Sequence, residues 1–276
     1  MPEITLLLLT TVLAAGAVAG WLGALLGIGG GVFLVPFLNA VLGLDIKIAA
    51  AVSLMTVIAT SSAVSARTSG RQLINLRLGM LLEVASAAGG LAAGMLFRHV
   101  PDHVLIVTFA VVSAGIAGIM LTRLEHRNVI LNSDVDPGML GGRFHEDESG
   151  GEVVYRVKRL PVGVAVSFLA GSVSALLGIG GGVLKVPVLN AWCGVPMRAA
   201  AATSGLMIGV TAVASVPIQY AGGFVPAPLA AAAILGVLIG SQGGFWLGSR
   251  AKVRWLKLLM AAVLASVSVV YLFKAL

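Results

Sequence analysis

One glycine-rich stretch occurs twice in the chain, and it constrains the fold more than any other feature. Residues 27–40 read GIGGGVFLVPFLNA and residues 178–191 read GIGGGVLKVPVLNA, so equivalent residues lie 151 positions apart. The glycines, the proline and the asparagine all stay in register, which chance composition does not produce. We therefore predict that two parts of the chain build the same local structure, a glycine-rich break between two apolar helices.

The composition predicts that these helices lie in a membrane. Hydrophobic residues make up 58% of the 276 residues and charged residues only 11%. A soluble fold of this composition would leave large apolar areas in contact with water. The apolar runs are too long and too continuous for the alternating strands of a β-barrel. We therefore predict an all-α polytopic membrane protein, embedded in the lipid bilayer of a bacterial inner membrane.

Eight apolar segments are long enough to span a bilayer as helices. Two shorter pieces, residues 32–42 and 183–193, follow the glycine-rich breaks and would reach only about 18 Å as helices. We predict that both are re-entrant helices, which turn the chain back inside the membrane. The long segments are residues 4–26, 46–66, 74–97, 104–121, 161–177, 197–220, 228–247 and 255–272.

This arrangement divides the chain into three parts. Residues 1–122 form a first transmembrane repeat and residues 161–276 a second, each with four long helices and one short re-entrant helix. Residues 123–160 form a polar cytoplasmic loop between them, in which residues 153–157 alternate enough to suggest a short strand.

The basic residues predict the orientation of the two repeats. They concentrate in three loops, which the positive-inside rule places in the cytoplasm. Residues 46–66 then run inward and the equivalent residues 197–220 run outward, so the repeats are inverted; Lys47 and Arg98 are exceptions to the rule. The same rule explains the net charge of +7, and we expect no nucleic-acid partner. The loop residues are Arg67, Arg71, Arg77, Arg123, Arg127, Arg143, Arg156, Lys158, Arg159, Arg250, Lys252, Arg254 and Lys257.

The two breaks are candidate anion-binding sites. Glycine triplets leave backbone N–H groups exposed, and the helix that follows each triplet points its positive end into the membrane interior. Broken helices at the interface of inverted repeats typically hold the substrate of a transporter. A tight turn without a ligand is the alternative interpretation. The glycines are Gly29, Gly30, Gly31, Gly180, Gly181 and Gly182.

Two charged residues fall inside apolar segments, where charge is expensive and usually functional. Lys185 replaces Leu34 of the first copy, and it would attract an anion, act as a counter-charge for Glu83, or snorkel to the interface. Glu83 lies about 13 Å along its segment, and its repeat equivalent in the second copy is the apolar Ile234. It would carry a coupling proton, or pair structurally with Lys185 or Arg77.

Polar residues near the breaks are further candidates for the substrate site. Ser53 and Ser204 are repeat equivalents, as are Asn39 and Asn190, and Thr203 precedes Ser204. Hydroxyl and amide groups replace part of the water shell of an anion without adding charge. The alternative is that serine and threonine bond the backbone of their own helix, which we expect for other hydroxyls such as Thr211.

No enzyme signature is present. All four histidines fall in the loops between the long apolar segments, so no histidine-based catalytic or metal site is predicted. The chain has no GxxxxGK[ST] motif for ATP phosphates. We expect no cofactor, no metal and no enzymatic activity.

The paired motif Gly-Ile-Gly-Gly-Gly-x-x-x-Val-Pro-x-Leu-Asn, with an Ala-rich helix bearing serine after each copy, resembles the TauE/SafE family of sulfite exporters and related sulfonate permeases. The resemblance covers nearly the whole chain. It implies a secondary transporter, working as an exporter, for small sulfur-containing anions such as sulfite or organosulfonates, coupled to protons. An anion-selective channel, a non-transporting membrane subunit and a homo-oligomer remain open alternatives.

Overall fold

The structure is a computed structural model, and it describes six ranges of the chain. The described residues are 5–26, 28–68, 73–122, 136–146, 151–248 and 253–275. Several residues used above for the orientation lie outside the described residues, namely Arg71, Arg123, Arg127, Arg250 and Lys252, as does Gly27, the first residue of the repeated motif.

The described residues are mostly helical. The helices are α1 Leu6–Leu26, α2 Gly31–Pro36, α3 Ile46–Thr68, α4 Leu76–Leu96, α5 Asp102–Thr122, α6 Leu160–Leu177, α7 Gly182–Ala191, α8 Met197–Ala221, α9 Ala227–Gly248 and α10 Val253–Ala275. Within the described ranges, α1, α3, α4, α6, α8 and α9 are the six helices long and apolar enough to cross a membrane. The prediction of a multi-pass membrane protein is thereby confirmed.

The all-α prediction is wrong in one respect, because residues between α5 and α6 form a β-hairpin. Strand β1 (Gly142–Glu146) pairs antiparallel with β2 (Gly151–Tyr155), and Phe144 faces Val153. The predicted strand at 153–157 overlaps β2 but begins too late, and β1 was not expected. Phe144, Val153 and Tyr155 are buried in the main hydrophobic core, so the hairpin packs against the helices.

Small residues let the long helices approach closely. Helix α1 packs along α9, and α6 packs along α4. A Cβ atom on Gly20 would lie 2.7 Å from the Cα atom of Val237, and one on Gly171 would overlap the carbonyl oxygen of Ser86. Aromatic packing joins α5 to α10, where the rings of Phe109 and Tyr271 stack with centroids 4.7 Å apart.

The outward faces of these helices are apolar. Large side chains such as Leu169 on α6, Leu235 on α9 and Phe273 on α10 are exposed. For the spanning helices α6 and α9, lipid can replace the protein contacts that a soluble fold would need.

Candidate functional site

The two glycine-rich breaks lie against each other in the middle of the molecule. We call residues 28–30 the first break and residues 178–181 the second break. A Cβ atom on Gly31 would overlap the carbonyl oxygen of Gly178, and one on Gly182 would lie 3.0 Å from the Cα atom of Ile28. The position of Gly31 therefore requires glycine so that the two backbones can touch, and a side chain at Gly182 would crowd Ile28.

A hydroxyl from the first half of the sequence ties the breaks together. Ser53, on α3, is fully buried and donates a hydrogen bond from Oγ to the carbonyl oxygen of Gly178, at 2.8 Å. The predicted site residue Ser53 thus lies at the contact between the breaks, and its hydroxyl already has a protein partner.

The breaks differ in backbone conformation. Gly29 has a φ of +78° while Gly30 has a φ of −73°, so the first break has one left-handed residue. In the second break Gly178, Gly180 and Gly181 are all left-handed, with φ values of +69°, +79° and +68°. Side chains other than glycine rarely adopt this region. The sequence repeat therefore conceals two different local structures.

The short helices after the breaks differ as well. Helix α2 has six residues and continues as a π-helix at Phe37–Val41, directly after Pro36. Helix α7 has ten residues and passes through Pro187 without changing type. A proline lacks the N–H of a helical hydrogen bond, and the two copies accommodate this loss in different ways.

Asn39 and Asn190 hold the chain at the far ends of the short helices. The side-chain amide of Asn39 donates to the carbonyl of Leu44 at 2.8 Å, and that of Asn190 donates to the carbonyl of Val195 at 3.0 Å. In the first copy, Nζ of Lys274 also donates to Oδ1 of Asn39, at 2.8 Å. The structure therefore places both predicted asparagines away from the glycines, as anchors of the following turn.

A buried ion pair joins α4 to α7. Lys185 is only 2% exposed, and its Nζ lies 3.2 Å from Oε2 of Glu83 and 3.2 Å from Oγ1 of Thr211. Of the interpretations left open by the sequence, the counter-charge is the one observed. The lysine does not snorkel, and Glu83 pairs with Lys185 rather than with Arg77.

Hydroxyl groups complete the coordination of this ion pair. Thr211 on α8 donates to Oε1 of Glu83 at 2.6 Å, and its Oγ1 lies 2.8 Å from Oγ of Ser86. The expectation that Thr211 bonds its own helix is correct but incomplete, since Oγ1 also lies 3.2 Å from the carbonyl of Met207. Ser86 was missed, although it lies three residues after Glu83 and so on the same helical face.

Thr203 and Ser204 are neighbours on α8 but have different roles. Oγ1 of Thr203 accepts a hydrogen bond from the backbone N–H of Asn75 at 2.9 Å, just before α4. Ser204 is fully buried, and its Oγ has no hydrogen-bond partner among the described residues. The structure thus gives Thr203 a partner at the start of α4 and leaves the hydroxyl of Ser204 unsatisfied.

Asn75, which was not among the predicted site residues, connects the start of α4 to the β-hairpin. Its Oδ1 accepts from the backbone N–H of Leu78 at 3.0 Å, which is an N-cap interaction. Its side-chain amide donates to the carbonyl of Leu140 at 2.7 Å and to the hydroxyl of Tyr155 at 3.1 Å. Burial raises the pKa of the Tyr155 hydroxyl above its ordinary value of 10.0, so the phenol stays neutral near pH 7.

Comparison with known proteins identifies the family to which this site belongs. A family model described as "Sulfite exporter TauE/SafE" matches residues 12–271, which include both breaks and the ion pair. The chain belongs to the sulfite exporter TauE/SafE family. The resemblance inferred from the paired motif is therefore confirmed.

A curated relative points the same way. The "Probable membrane transporter protein YunE" of Bacillus subtilis (strain 168) is 25% identical over 256 residues, which cover 90% of this chain and 92% of that protein. No solved structure matches the chain significantly. Together with the six spanning helices, these findings identify a multi-pass transporter of the cell membrane.

Proposed function

We propose that the protein is a secondary transporter that exports small sulfur-containing oxyanions, such as sulfite or organosulfonates, together with protons. The buried Lys185–Glu83 pair carries this proposal. Removing two charges from water costs several kcal/mol per ion, which their attraction seldom repays. An ion pair kept inside a membrane protein is therefore expected to have a task, and an ammonium group in this family suits an anionic substrate.

We propose that the transporting unit consists of two inverted repeats, residues 1–122 and 161–276, each with four long helices and one re-entrant helix. Equivalent helices support this architecture: α1 packs along α9, and their counterparts α6 and α4 pack in the same way. Residues 123–160 then lie on the cytoplasmic side. Lys47, an exception to the positive-inside rule, has its charge offset by Asp102 at 3.4 Å.

The substrate is proposed to lie where the breaks meet, among Gly29–Gly31 and Gly180–Gly182, near Ser53, Ser204 and Lys185. Asn39, Asn190 and Thr203 would hold the ends of the surrounding helices in place. Rocking of one repeat against the other would then open this region to each side of the membrane in turn.

Glu83 is proposed to couple the anion to a proton. The carboxylate of Glu83 accepts a hydrogen bond from the ammonium group of Lys185, so it competes with an incoming anion for that group. Protonation of the carboxylate frees the ammonium group for the anion. The anion and the proton therefore bind together. A dianion that leaves with one proton carries a net negative charge, and an inside-negative potential drives it outward by about 2.3 kcal/mol per 100 mV.

Sulfite flux in proteoliposomes tests this proposal. We expect sulfite efflux from the wild-type protein to be accelerated by an inside-negative potential, with protons moving in the same direction. Glu83→Gln keeps a side-chain oxygen for Lys185 and Thr211, so flux should persist without proton movement. Asp102→Asn, at the start of α5, is the control and should behave as wild type. Flux that ignores a pH gradient would overturn proton coupling.

A further inference from the structure

Two buried hydroxyl groups near the second break have no hydrogen-bond partner among the described residues. Oγ of Ser174 on α6 and Oγ of Ser204 on α8 are both in this state, and both side chains are fully buried. Other buried helical hydroxyls find a carbonyl in the preceding turn, as Thr60 does with Thr56 at 2.9 Å and Ser215 with Thr211 at 3.2 Å. Buried polar groups without a partner are uncommon in proteins and call for an explanation.

Ser174 lies directly beside the second break. A Cβ atom on Gly181 would be 3.4 Å from the Cβ atom of Ser174. The repeat equivalent of Ser174 is Gly23, where a Cβ atom would lie 2.5 Å from the backbone nitrogen of Gly30. In the first copy, therefore, α1 packs tightly against the break. In the second copy, α6 places a hydroxyl group at the same position.

The sequence repeat predicts a place beside the second break for Ser204 as well. Its repeat equivalent, Ser53, has its Oγ 2.8 Å from the Cβ position of Gly31, the first residue of α2. The position that corresponds to Gly31 in the second copy is Gly182, the first residue of α7. Thr211 lies seven residues after Ser204, two turns along the same face of α8, and it contacts the ammonium group of Lys185.

The start of α7 supplies backbone donors at the second break. The N–H groups of Leu184 and Lys185 both bond the carbonyl of Gly181. The N–H groups of Gly182 and Val183 precede them in the first turn, where a helix offers no acceptor of its own. The positive end of the ten-residue helix α7 therefore lies at the second break, beside Ser174.

We infer that the second break alone forms the subsite for the oxygens of the transported anion, and that Ser174 is a ligand of that anion. The hydroxyls of Ser174 and Ser204 and the amides of Gly182 and Val183 donate to the oxygens, while Lys185 balances the charge. A sulfite or sulfonate group presents three oxygens, which matches a set of neutral donors on two sides of a helix end. This inference rests on the proposed function, since it assumes that the substrate is an oxyanion.

Binding of sulfite to the full-length protein in detergent tests the inference. We expect Ser174→Ala and Ser204→Ala each to raise the Kd for sulfite about tenfold, measured by isothermal titration calorimetry, because each removes one donor. Neither change removes a protein hydrogen bond, so the unfolding temperature without sulfite should stay at the wild-type value. Where Ser174→Ala does not purify as a single species, Ser174→Gly introduces the residue of the first copy and tests the same point.

Matched controls come from the same helices. Ser172 on α6 bonds the carbonyl of Phe168, and Ser215 on α8 bonds that of Thr211, so Ser172→Ala and Ser215→Ala should bind sulfite as wild type does. An unchanged Kd in both Ser174→Ala and Ser204→Ala, with wild-type transport intact, would overturn the subsite and leave the proposed function standing. A wild-type protein that neither binds nor carries sulfite, taurine or sulfoacetate would overturn both.

Discussion

The first and second breaks have nearly the same sequence, but the hydroxyl groups beside them differ in whether they have hydrogen-bond partners. Beside the first break, Ser53 has a hydrogen-bond partner, the carbonyl oxygen of Gly178 in the second break, and Gly23 packs against Gly30. Around the second, Ser174 and Ser204 have hydroxyls without a partner among the described residues, and the helix that follows carries a charge at Lys185.

This difference indicates that the two copies of the motif have different roles. One copy is closed by its own packing, and a helix of six residues follows it. The other copy keeps a longer helix, a buried ammonium group and two hydroxyls without a partner among the described residues. Under the proposed subsite, the first break supports the second by packing, and the second binds the anion.

The largest expected effect comes from converting the charged copy into the uncharged one. Lys185→Leu, which introduces the residue found at Leu34, leaves the carboxylate of Glu83 buried and unpaired, so we expect a loss of about 3–5 kcal/mol in the free energy of unfolding. A second change in the same protein, Glu83→Ile, introduces the residue found at the equivalent Ile234. It removes the unpaired charge and should restore most of that stability. Unfolding in mixed micelles measures both variants.

Sulfite flux tests whether the double variant, once its stability is restored, still transports. If Lys185 and Glu83 serve transport, the stable double variant should carry no sulfite. Wild-type flux in the double variant would contradict the role assigned to the ion pair, and a double variant no more stable than Lys185→Leu would contradict the electrostatic explanation.

A smaller effect is expected from the contact between the two breaks. A methyl group on Gly31 meets the carbonyl oxygen of Gly178, whereas a methyl group on Gly182 meets backbone atoms of Ile28 at 3.0 to 3.2 Å. We expect Gly31→Ala to cost about 3 kcal/mol and Gly182→Ala about 1 kcal/mol, within the usual range for overpacking. Equal losses in the two variants would show that the breaks pack more symmetrically than described here.

The smallest effect is expected at the paired serines. Ser53→Ala removes a buried hydrogen bond and should lower the free energy of unfolding by about 1 kcal/mol. Ser204→Ala removes a hydroxyl without a protein partner, so its free energy of unfolding without substrate should stay within about 0.5 kcal/mol of the wild type. A stability loss in Ser204→Ala as large as that in Ser53→Ala would contradict the assigned difference in saturation.

The sequence was sufficient to predict the breaks and the short helices after them, because glycine runs and segment lengths have few physical solutions. For Lys185 it left three interpretations open, one of which was the pairing with Glu83 that the structure shows. Hydroxyl partners were not foreseen. Serine and threonine are numerous here, and only the packing of α4 on α8 places Thr211 against Glu83.

The β-hairpin was only half predicted for a similar reason. Strand β2 contains the β-branched pair Val153 and Val154, which favours a strand, whereas β1 reads Gly-Arg-Phe-His-Glu and gains its conformation from pairing. The hairpin is linked to the helices through Asn75, which caps α4 and also donates a hydrogen bond to the hydroxyl of Tyr155. That second bond depends on where Tyr155 lies in the folded protein.

The most direct test of the central claim is to locate the anion itself. Crystals of the wild-type protein soaked in selenite, an analogue of sulfite, can be measured at the selenium absorption edge. We expect one anomalous peak at the start of α7, within hydrogen-bonding distance of the amides of Gly182 and Val183 and the hydroxyls of Ser174 and Ser204. A peak beside Gly30 and Gly31, or two equal peaks at the two breaks, would contradict the claim that the second break alone holds the anion.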